Sequence, residues 1–504
     1  MSMLFQSKIT NIYIFNILFK KEGIFMTAMV TFSWIGIMLL VGVVLRAVIK
    51  PLGNILMPAS VIGGIVGLIM MNIPGVAATL GIDPNMCNQI VNFFFILSFI
   101  SMGLTATPKA EGQTGGAVAK QQLRGSMGMG LLWGALYCFT PVIGYFCIKF
   151  FGAAFNMPAE YGILIPFAFC QGPGQSASFG MQIEAAGLMP LASQVAITYS
   201  VIGFLFAFLI GVPLAKIGLK KGLASYPEKL SPAVMRGIYK PEEQTEVAGR
   251  ITTYNGNIDV LAFNFAIVGM TFVITLYVQK LILMVPNALI ASFGGMTFFV
   301  GYFVALLVKA VMTKIGVKKY HDDALQARIT GCTTDFLIVG AFMAIQTSAI
   351  GSWIIPMLMM CVVVGAFTFA FCIFFGRRFG DGCDFERTLG MWGCATGTCP
   401  SGVALIRVVD PNLRTTASAE MGSMNAFMIP GTLLVANYIM VCNGLMSINT
   451  LIPMALGLGI INIILIKVVR AWNKPTFSWK GKVVCPDVTD DCEAFENTGT
   501  RSQF

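Results

Sequence analysis

The chain has 504 residues, of which 56% are hydrophobic and only 11% are charged. A soluble chain carries roughly 25% charged residues, so these charges are too few to cover a globular surface and the outer face must meet lipid. The net charge of +10 does not indicate nucleic-acid binding, because the basic residues lie in short loops between apolar segments, as in membrane proteins.

The first 25 residues precede the apolar segments and hold only one short apolar run, Ile12–Phe19. We interpret residues 1–25 either as an interfacial extension or as a stretch upstream of a native start at Met26. A bilayer core needs about 20 apolar residues in a helix. The sequence predicts eleven such spans, near residues 27–49, 54–73, 89–107, 126–150, 192–215, 258–283, 288–312, 331–350, 352–376, 420–442 and 447–469.

Two further segments, 158–186 and 386–409, are apolar but interrupted by Gly, Pro, Ser and Thr. Lys and Arg are concentrated in alternate loops, whereas loops such as 74–88 and 443–446 contain neither. The positive-inside rule then predicts an outside N-terminus and a cytoplasmic C-terminal tail. This alternation holds only if each interrupted segment enters and leaves the bilayer on the same side, as a re-entrant hairpin.

A long polar linker, residues 216–256, divides the membrane region into two halves. Each half has the same plan: four spans, one interrupted segment and one span. Because five is odd, the second half starts on the opposite face, which is typical of the inverted repeats of transporters. We therefore predict an all-α integral membrane protein with about eleven transmembrane helices in a five-plus-five inverted repeat, two re-entrant hairpins and one extra C-terminal helix. The predicted parts are the extension 1–25, the first repeat 26–215, the cytoplasmic linker 216–256, the second repeat 257–442, the additional helix 443–470 and the tail 471–504.

Neither interrupted segment can form one continuous helix, because Gly and Pro together break its hydrogen-bond ladder. Non-helical backbone at membrane depth is tolerated only where protein or a water-filled cavity surrounds it. Freed N–H groups at a helix start suit a carboxylate, and freed carbonyls and hydroxyls suit sodium. The alternative is a glycine-rich packing turn. The candidate binding residues are Gln171, Gly172, Gly174, Gln175, Ser176, Ser178, Thr396, Gly397, Thr398, Ser401 and Gly402.

Around these two segments the chain resembles the sodium/glutamate symporter family, over roughly residues 30–440. Members carry Gly-rich re-entrant loops at these two places, around a five-plus-five inverted repeat. The stretch Gly397–Ala404 is similar to the Gly-x-x-Pro-Thr-Ala sequence of the family's second loop, whereas Pro173 stands where its first loop has His. The resemblance implies sodium-driven uptake of L-glutamate, or a related anionic amino acid, across a bacterial inner membrane.

Three polar residues elsewhere in the spans are further candidates. Asp335 is a carboxylate within a predicted span, and such groups are functional candidates unless they sit at a wet helix start. Arg407 follows the Gly and Pro of the second interrupted segment by one or two helical turns and is either a two-pronged clamp for a substrate carboxylate or an ordinary loop residue. Asn425 is expected to line a cavity or bond a neighbouring helix.

The sequence carries no catalytic constellation, such as a phosphate-binding loop or a Ser, His and Asp set, so we do not expect an enzyme. Most of the 13 Cys lie in apolar runs, where Cys acts as a small hydrophobe, and we expect no cofactor beyond a coupling ion. The remaining alternatives are a transporter of another organic anion, dicarboxylate or amino acid, and a membrane channel. The choice of sodium or proton as coupling ion, and assembly as a homodimer, stay open.

Overall fold

The computed structural model describes residues 2–105, 116–226, 232–240, 249–254, 256–285, 294, 296–379, 383–411, 414–428 and 434–472, with backbone only for 2–24, 116–119, 232, 234 and 426. The regular secondary structure of these residues is entirely helical, and no strand occurs among them. A helix satisfies its own backbone hydrogen bonds, which is why helices suit a chain this rich in apolar residues. The prediction of an all-α membrane protein is therefore confirmed at the level of fold class.

The α-helices of the described residues are numbered here in chain order. They are α1 Ser2–Val48, α2 Lys50–Asn54, α3 Ala59–Met71, α4 Val76–Thr79, α5 Pro84–Leu104, α6 Gly116–Cys147, α7 Ile165–Phe169, α8 Pro173–Ala185, α9 Ala192–Lys220, α10 Pro232–Arg236, α11 Val260–Leu283, α12 Thr297–Lys314, α13 Asp323–Met343, α14 Thr347–Ile350, α15 Ile354–Gly376, α16 Asp384–Thr396, α17 Cys399–Val409, α18 Ala417–Ser423, α19 Val435–Cys442 and α20 Ile448–Val468. Short π or 3₁₀ turns lie at Ile148–Gly152, Ala153–Phe155, Ala159–Leu164, Val317–Tyr320, Gly351–Trp353 and Met424–Phe427.

Eight helical segments among the described residues are long and apolar enough to cross a bilayer. They are Phe25–Val48, Pro84–Leu104, Lys120–Phe155, Ala192–Lys220, Val260–Leu283, Thr297–Lys314, Thr347–Gly376 and Ile448–Val468, and each overlaps a predicted span. Large apolar side chains such as Leu40, Tyr277 and Ile464 are exposed on them. Because water would not tolerate so much exposed apolar surface, these faces meet lipid and the protein crosses the membrane several times.

The other three predicted spans differ from the structure. In place of 54–73, α3 has only 13 residues, because Pro58 stands at its N-cap and α2 ends before it. In place of 331–350, α13 begins at Asp323, because the Asp322 side chain caps it by accepting from the Leu325 N–H at 2.8 Å. In place of 420–442, the described residues form α18, a 3₁₀ turn and α19. The number of eleven crossings stays a prediction, as does the inverted repeat.

Helix α9 lies at the centre of the fold. It packs against α7 and α8, which form the first interrupted segment, and against α16 and α17, which form the second. Most of its residues are buried, from Ala192 at its start to Gly218 near its end. Both candidate segments are therefore positioned by this one helix.

Candidate functional site

The first interrupted segment folds as two arms joined by a turn, called hairpin 1 here (residues 159–190). Its entering arm is a 3₁₀ turn followed by α7, and its outgoing arm is α8. Gly172 joins them with φ of +80°, a backbone conformation that favours glycine. Pro173 then opens α8, a position where proline's missing N–H has no cost. The sequence thus breaks the helix where Gly172 and Pro173 require it.

Hydrogen bonds hold the turn of hairpin 1 in place. The Ser176 hydroxyl donates to the Gly172 carbonyl at 3.1 Å and to the Phe167 carbonyl at 3.3 Å, which ties the two arms together. The indole N–H of Trp133 on α6 donates to the Cys170 carbonyl at 2.9 Å. The turn is therefore a built structure rather than a loose loop.

Two glutamines of hairpin 1 form a polar chain beside its turn. The Gln175 amide donates to Oε1 of Gln171 at 2.9 Å, and the Gln171 amide donates to Sδ of Met428 at 3.4 Å. Oε1 of Gln175 is buried and has no hydrogen-bond partner among the described residues. A buried acceptor without a donor is costly, so a ligand or water that met this oxygen would be stabilised.

The second interrupted segment, called hairpin 2 here (residues 383–416), has the same construction. Its arms are α16 and α17, which pack tightly because Gly393 and Gly402 let their backbones touch. The hydroxyls of Thr398 and Ser401 lie 3.2 Å apart at the turn, and the Thr396 hydroxyl donates to the Trp392 carbonyl at 2.7 Å. Neither α8 nor α17 is capped by a side chain at its start. Backbone N–H groups at both turns are therefore available to a ligand.

The turns of the two hairpins meet at the middle of α9. A side chain at Gly172 would collide with the Thr398 side chain and with the Gly397 carbonyl. A side chain at Gly203 of α9 would collide with the Thr396 carbonyl and with the Phe169 ring. Segments separated by more than 200 residues are thus brought to one place, on a helix whose glycine lets them approach.

Each hairpin has both of its ends at one end of α9. In hairpin 1, the Tyr161 hydroxyl donates to the Pro190 carbonyl at 2.5 Å, and Glu184 accepts from the N–H of Ser193, the second residue of α9, at 2.9 Å. In hairpin 2, Cys383 lies 3.6 Å from Thr416, and Phe385 packs on Gly218 near the other end of α9. The hairpins therefore enter the fold from opposite ends of a helix roughly 43 Å long.

Buried charges hold the base of hairpin 2. Nε and Nη2 of Arg387 donate to the two carboxylate oxygens of Glu420 at 2.7 and 2.6 Å, and both side chains are essentially inaccessible. Arg377 pairs with Asp384 at 2.7 Å, also buried. Glu386 accepts from the Ser225 N–H at 2.7 Å, which joins the linker to the hairpin. Both arginines are therefore paired inside the protein at the base of this hairpin.

Most candidate residues lie at the two turns. The members brought together there are Gln171, Gly172, Gln175, Ser176, Thr396, Gly397, Thr398, Ser401 and Gly402. Gly174 packs on the Phe95 ring of α5, and Ser178 is half-buried one turn further along α8. Asn425 is exposed in the turn after α18, within hydrogen-bonding reach of Cys399. Their roles as ligands stay predictions.

Two candidates lie away from the turns. Asp335 is next to Ser60 of α3, and its neighbour Phe336 stacks on Phe32 of α1, with no described contact to either turn. Arg407 is exposed in the last helical turn of α17 and has no partner among the described residues. The sequence interpretation did not single out Trp133, Gly203 or Glu420, although a carboxylate in an apolar segment is a recognisable signal.

Comparison with known protein families gives a match over most of the chain. A family model described as the sodium/glutamate symporter matches residues 24–415, which include both hairpin turns and α9. No curated protein matches the chain significantly. The match ends before Glu420 and Asn425, so the family comparison does not bear on the roles of these two residues.

Proposed function

Because the chain belongs to the sodium/glutamate symporter family, we propose that it imports L-glutamate, or a closely related anionic amino acid, together with sodium. The observation that carries the proposal is the meeting of two broken hairpins at Gly203, from opposite ends of α9. Discontinuous helices with this arrangement supply both backbone donors and backbone acceptors at one depth. The transport family is not a class of enzymes.

The substrate carboxylates would be bound by the uncapped starts of α8 and α17. Each start concentrates N–H groups with the positive end of a helix dipole, and the absence of a capping side chain leaves these donors unsatisfied. Two such starts at one place match a substrate that carries more than one carboxylate. An anionic amino acid fits this description better than a neutral one.

Sodium would be bound by the oxygens around the same turns. The candidates are Oε1 of Gln175, the hydroxyls of Thr398 and Ser401 and the Gly397 carbonyl. Hard cations prefer oxygen ligands of this kind. Because substrate and ion would then share neighbouring backbone, binding of one would order the site for the other, which is the physical basis of coupling.

We also propose a bacterial inner-membrane location, with the base of hairpin 2 and the linker on the cytoplasmic side. The basic linker and its contact at Ser225 support this orientation. Hairpin 1 would then enter from outside, and movement of the two hairpins past α9 would expose the site alternately to each side.

Uptake into proteoliposomes tests the function. We expect labelled L-glutamate to accumulate when an inward sodium gradient is imposed, and not when choline replaces sodium. Excess unlabelled glutamate should compete, glutamine should compete poorly, and a panel of dicarboxylates measures how far selectivity extends. Accumulation driven by a proton gradient instead would contradict sodium coupling. Flow that only equilibrates and ignores both gradients would indicate a channel.

A further inference from the structure

Two cysteines flank the turn of hairpin 2. Cys394 lies in the last turn of α16 and is fully buried, and Cys399 is the first residue of α17 and is partly exposed. Their sulfur atoms are 3.5 Å apart. The four residues between them include Thr396 and Thr398, so the pair spans the turn that contacts hairpin 1.

We propose that Cys394 and Cys399 are a redox modification site, at which a reversible disulfide closes the turn of hairpin 2 and stops transport. The oxidant is a peroxide, with hydrogen peroxide as the simplest member of the class. The inference adds a modification to the protein and does not depend on which solute is carried.

The two thiols differ in the way that a two-step oxidation requires. Cys399 is partly exposed, whereas Cys394 is buried, and Cys399 stands at the start of an 11-residue helix, where the dipole stabilises a thiolate. Its thiolate attacks one peroxide oxygen, the O–O bond breaks, and the leaving hydroxide takes a proton to become water. This step leaves Cys399 as a sulfenic acid.

Cys394 then acts as the resolving thiol. Its sulfur attacks the Cys399 sulfur, the S–S bond forms, the S–O bond breaks, and the leaving hydroxide takes the Cys394 proton as water. In sum, two thiols and one hydrogen peroxide give one disulfide and two waters. A dithiol reductant reverses the modification by exchange. Because Cys394 is already next to Cys399, the second step needs little movement.

A disulfide at this place would fix the backbone that the transport cycle must move. The bridged turn packs on Gly172 of hairpin 1 and on Gly203 of α9 without room for a side chain. A covalent clamp there restricts the sliding of the turn past both glycines. We therefore expect oxidation to lower the rate of transport rather than unfold the protein.

The first measurement follows the bond itself in the unaltered full chain. The purified protein is treated with hydrogen peroxide, denatured, alkylated with iodoacetamide, and digested for mass spectrometry. We expect the fragment that holds both cysteines to be lighter by two hydrogen atoms and unalkylated, and to become alkylated on both sulfurs after dithiothreitol. Full alkylation of both cysteines under peroxide that oxidises the exposed Cys332 would overturn the proposal.

The second measurement compares variants by the ratio of uptake after peroxide to uptake before it. We expect the unaltered chain and Cys332→Ser to lose most uptake after peroxide and to recover it in dithiothreitol. In Cys394→Ser and Cys399→Ser, we expect little loss of uptake that dithiothreitol can reverse. If peroxide inhibited Cys394→Ser reversibly and as strongly as the unaltered chain, another thiol would be responsible and the proposal would be overturned. A disulfide found in a chain that transports no glutamate would support the site and count against the proposed function.

Discussion

The hydroxyl side chains at the two turns differ in the bonds that they already make. Ser176 donates to two carbonyls, Thr398 and Ser401 share one hydrogen bond, and Ser178 has no partner among the described residues. A hydroxyl that donates its hydrogen to a carbonyl is held in place by that bond, and its lone pairs stay free to bind an ion. The four positions therefore separate the hydroxyls that make a structural bond from Ser178, which makes none among the described residues.

Replacement of these hydroxyls tests that separation. We expect at least two of Ser176→Ala, Ser178→Ala, Thr398→Ala and Ser401→Ala to change the apparent affinity for sodium or glutamate, by about fivefold for one lost contact of about 1 kcal/mol. Ser176→Ala should mainly lower the thermal stability of the protein, because it loosens the turn. Sodium-titrated uptake checks the affinities, and normal kinetics in all four would leave only backbone ligands.

Arg407 is the candidate for charge recognition by a side chain. It lies about 10 Å along α17 from the turn, at 1.5 Å per residue, and its guanidinium has no described partner. We expect Arg407→Ala to keep its apparent affinity for glutamate and its discrimination against glutamine, because Arg407 is exposed away from the turns and backbone N–H groups would bind the substrate carboxylates. Competition uptake assays measure both properties. A loss of well over tenfold in Arg407→Ala, with Arg407→Lys also impaired, would instead indicate the two-pronged clamp.

Gly203 is the residue at which both hairpins touch α9. We expect Gly203→Val to destabilise the protein by about 1–3 kcal/mol and to abolish most uptake, because the new side chain would displace the Thr396 carbonyl and the Phe169 ring. Gly269→Val on α11 is the matched control, since nothing lies near the position of its side chain. Thermal unfolding and uptake check both variants, and equal behaviour of the two would remove Gly203 from the mechanism.

Among the elements, the two hairpins carry the clearest structural claim: each returns to the end of α9 from which it started. We expect single cysteines at Glu160 and Leu188, on a cysteine-free background, to react with an impermeant thiol reagent from the outside only. These positions lie at the two ends of hairpin 1, and Leu188 is exposed. A cysteine at Lys221, after α9, should react from the inside only. Reaction of the Glu160 and Leu188 positions from opposite sides would show that hairpin 1 crosses the bilayer.

The loop before α13 contains the single histidine of the chain, in a polar network outside the long spans. Nδ1 of His321 lies 2.6 Å from Nζ of Lys318, and Nε2 lies 3.0 Å from Oε1 of Gln326. The amide nitrogen of Gln326 donates to the Ser101 hydroxyl of α5 at 2.7 Å. A charged lysine can only donate, so Nδ1 must accept and the ring must be neutral. Asp323 and Asp322 also face the ring.

This network predicts an acid-sensitive contact between α5 and α13. Burial and Lys318 lower the pKa of His321 below its usual 6.5. A lowered pKa means that the folded protein resists protonation, so the stabilisation is complete above pH 6.5 and is lost as the pH falls through the folded value. We expect the melting temperature to fall as the pH drops below 6.5. In His321→Gln, the melting temperature should depend less on pH over the same range. An unchanged pH profile in His321→Gln would contradict the assignment.

The elements that the sequence predicted correctly are those with local causes. Gly172 with Pro173, and Gly397 with Pro400, interrupt the helices where the sequence indicated, and long apolar runs produced long helices. Two spans were bounded wrongly for local reasons that hydropathy alone does not weigh, since Pro58 stands at the N-cap of α3 and Asp322 caps α13. The tertiary contacts were missed for another reason: Gln326 is buried against Ser101, 225 residues away, and Glu386 meets Ser225, 161 residues away. No pattern within one segment reports such a partner.

On the scale of the whole molecule, the sequence indicated that both interrupted segments form the site, but not which residues bring their turns together. The sequence indicated polar turns in both halves, and only the structure shows that Gly172 lies on Thr398. The predicted symmetry of the halves gave a reason to expect contact, yet the contact depends on Gly203, whose role in α9 has no local signature. Asp335 was chosen as a carboxylate within a predicted span and Arg407 as the arginine on the outgoing arm of the second interrupted segment, and the structure places neither at the turns.

The central helix α9 has a mechanical consequence. Its first turn holds the base of hairpin 1, its last turns hold the base of hairpin 2, and Gly203 lies between them where both tips press on it. A rigid rod that tilts about an inner point moves its two ends in opposite directions. Rocking of α9 about Gly203 would loosen the base of one hairpin as it tightens the base of the other. Both hairpins could then open at the same time, and let solute leak across, only if α9 itself bent. Pro213 is the one position inside α9 where proline removes a donor from the helical ladder, so we expect any bend of α9 to occur at that residue.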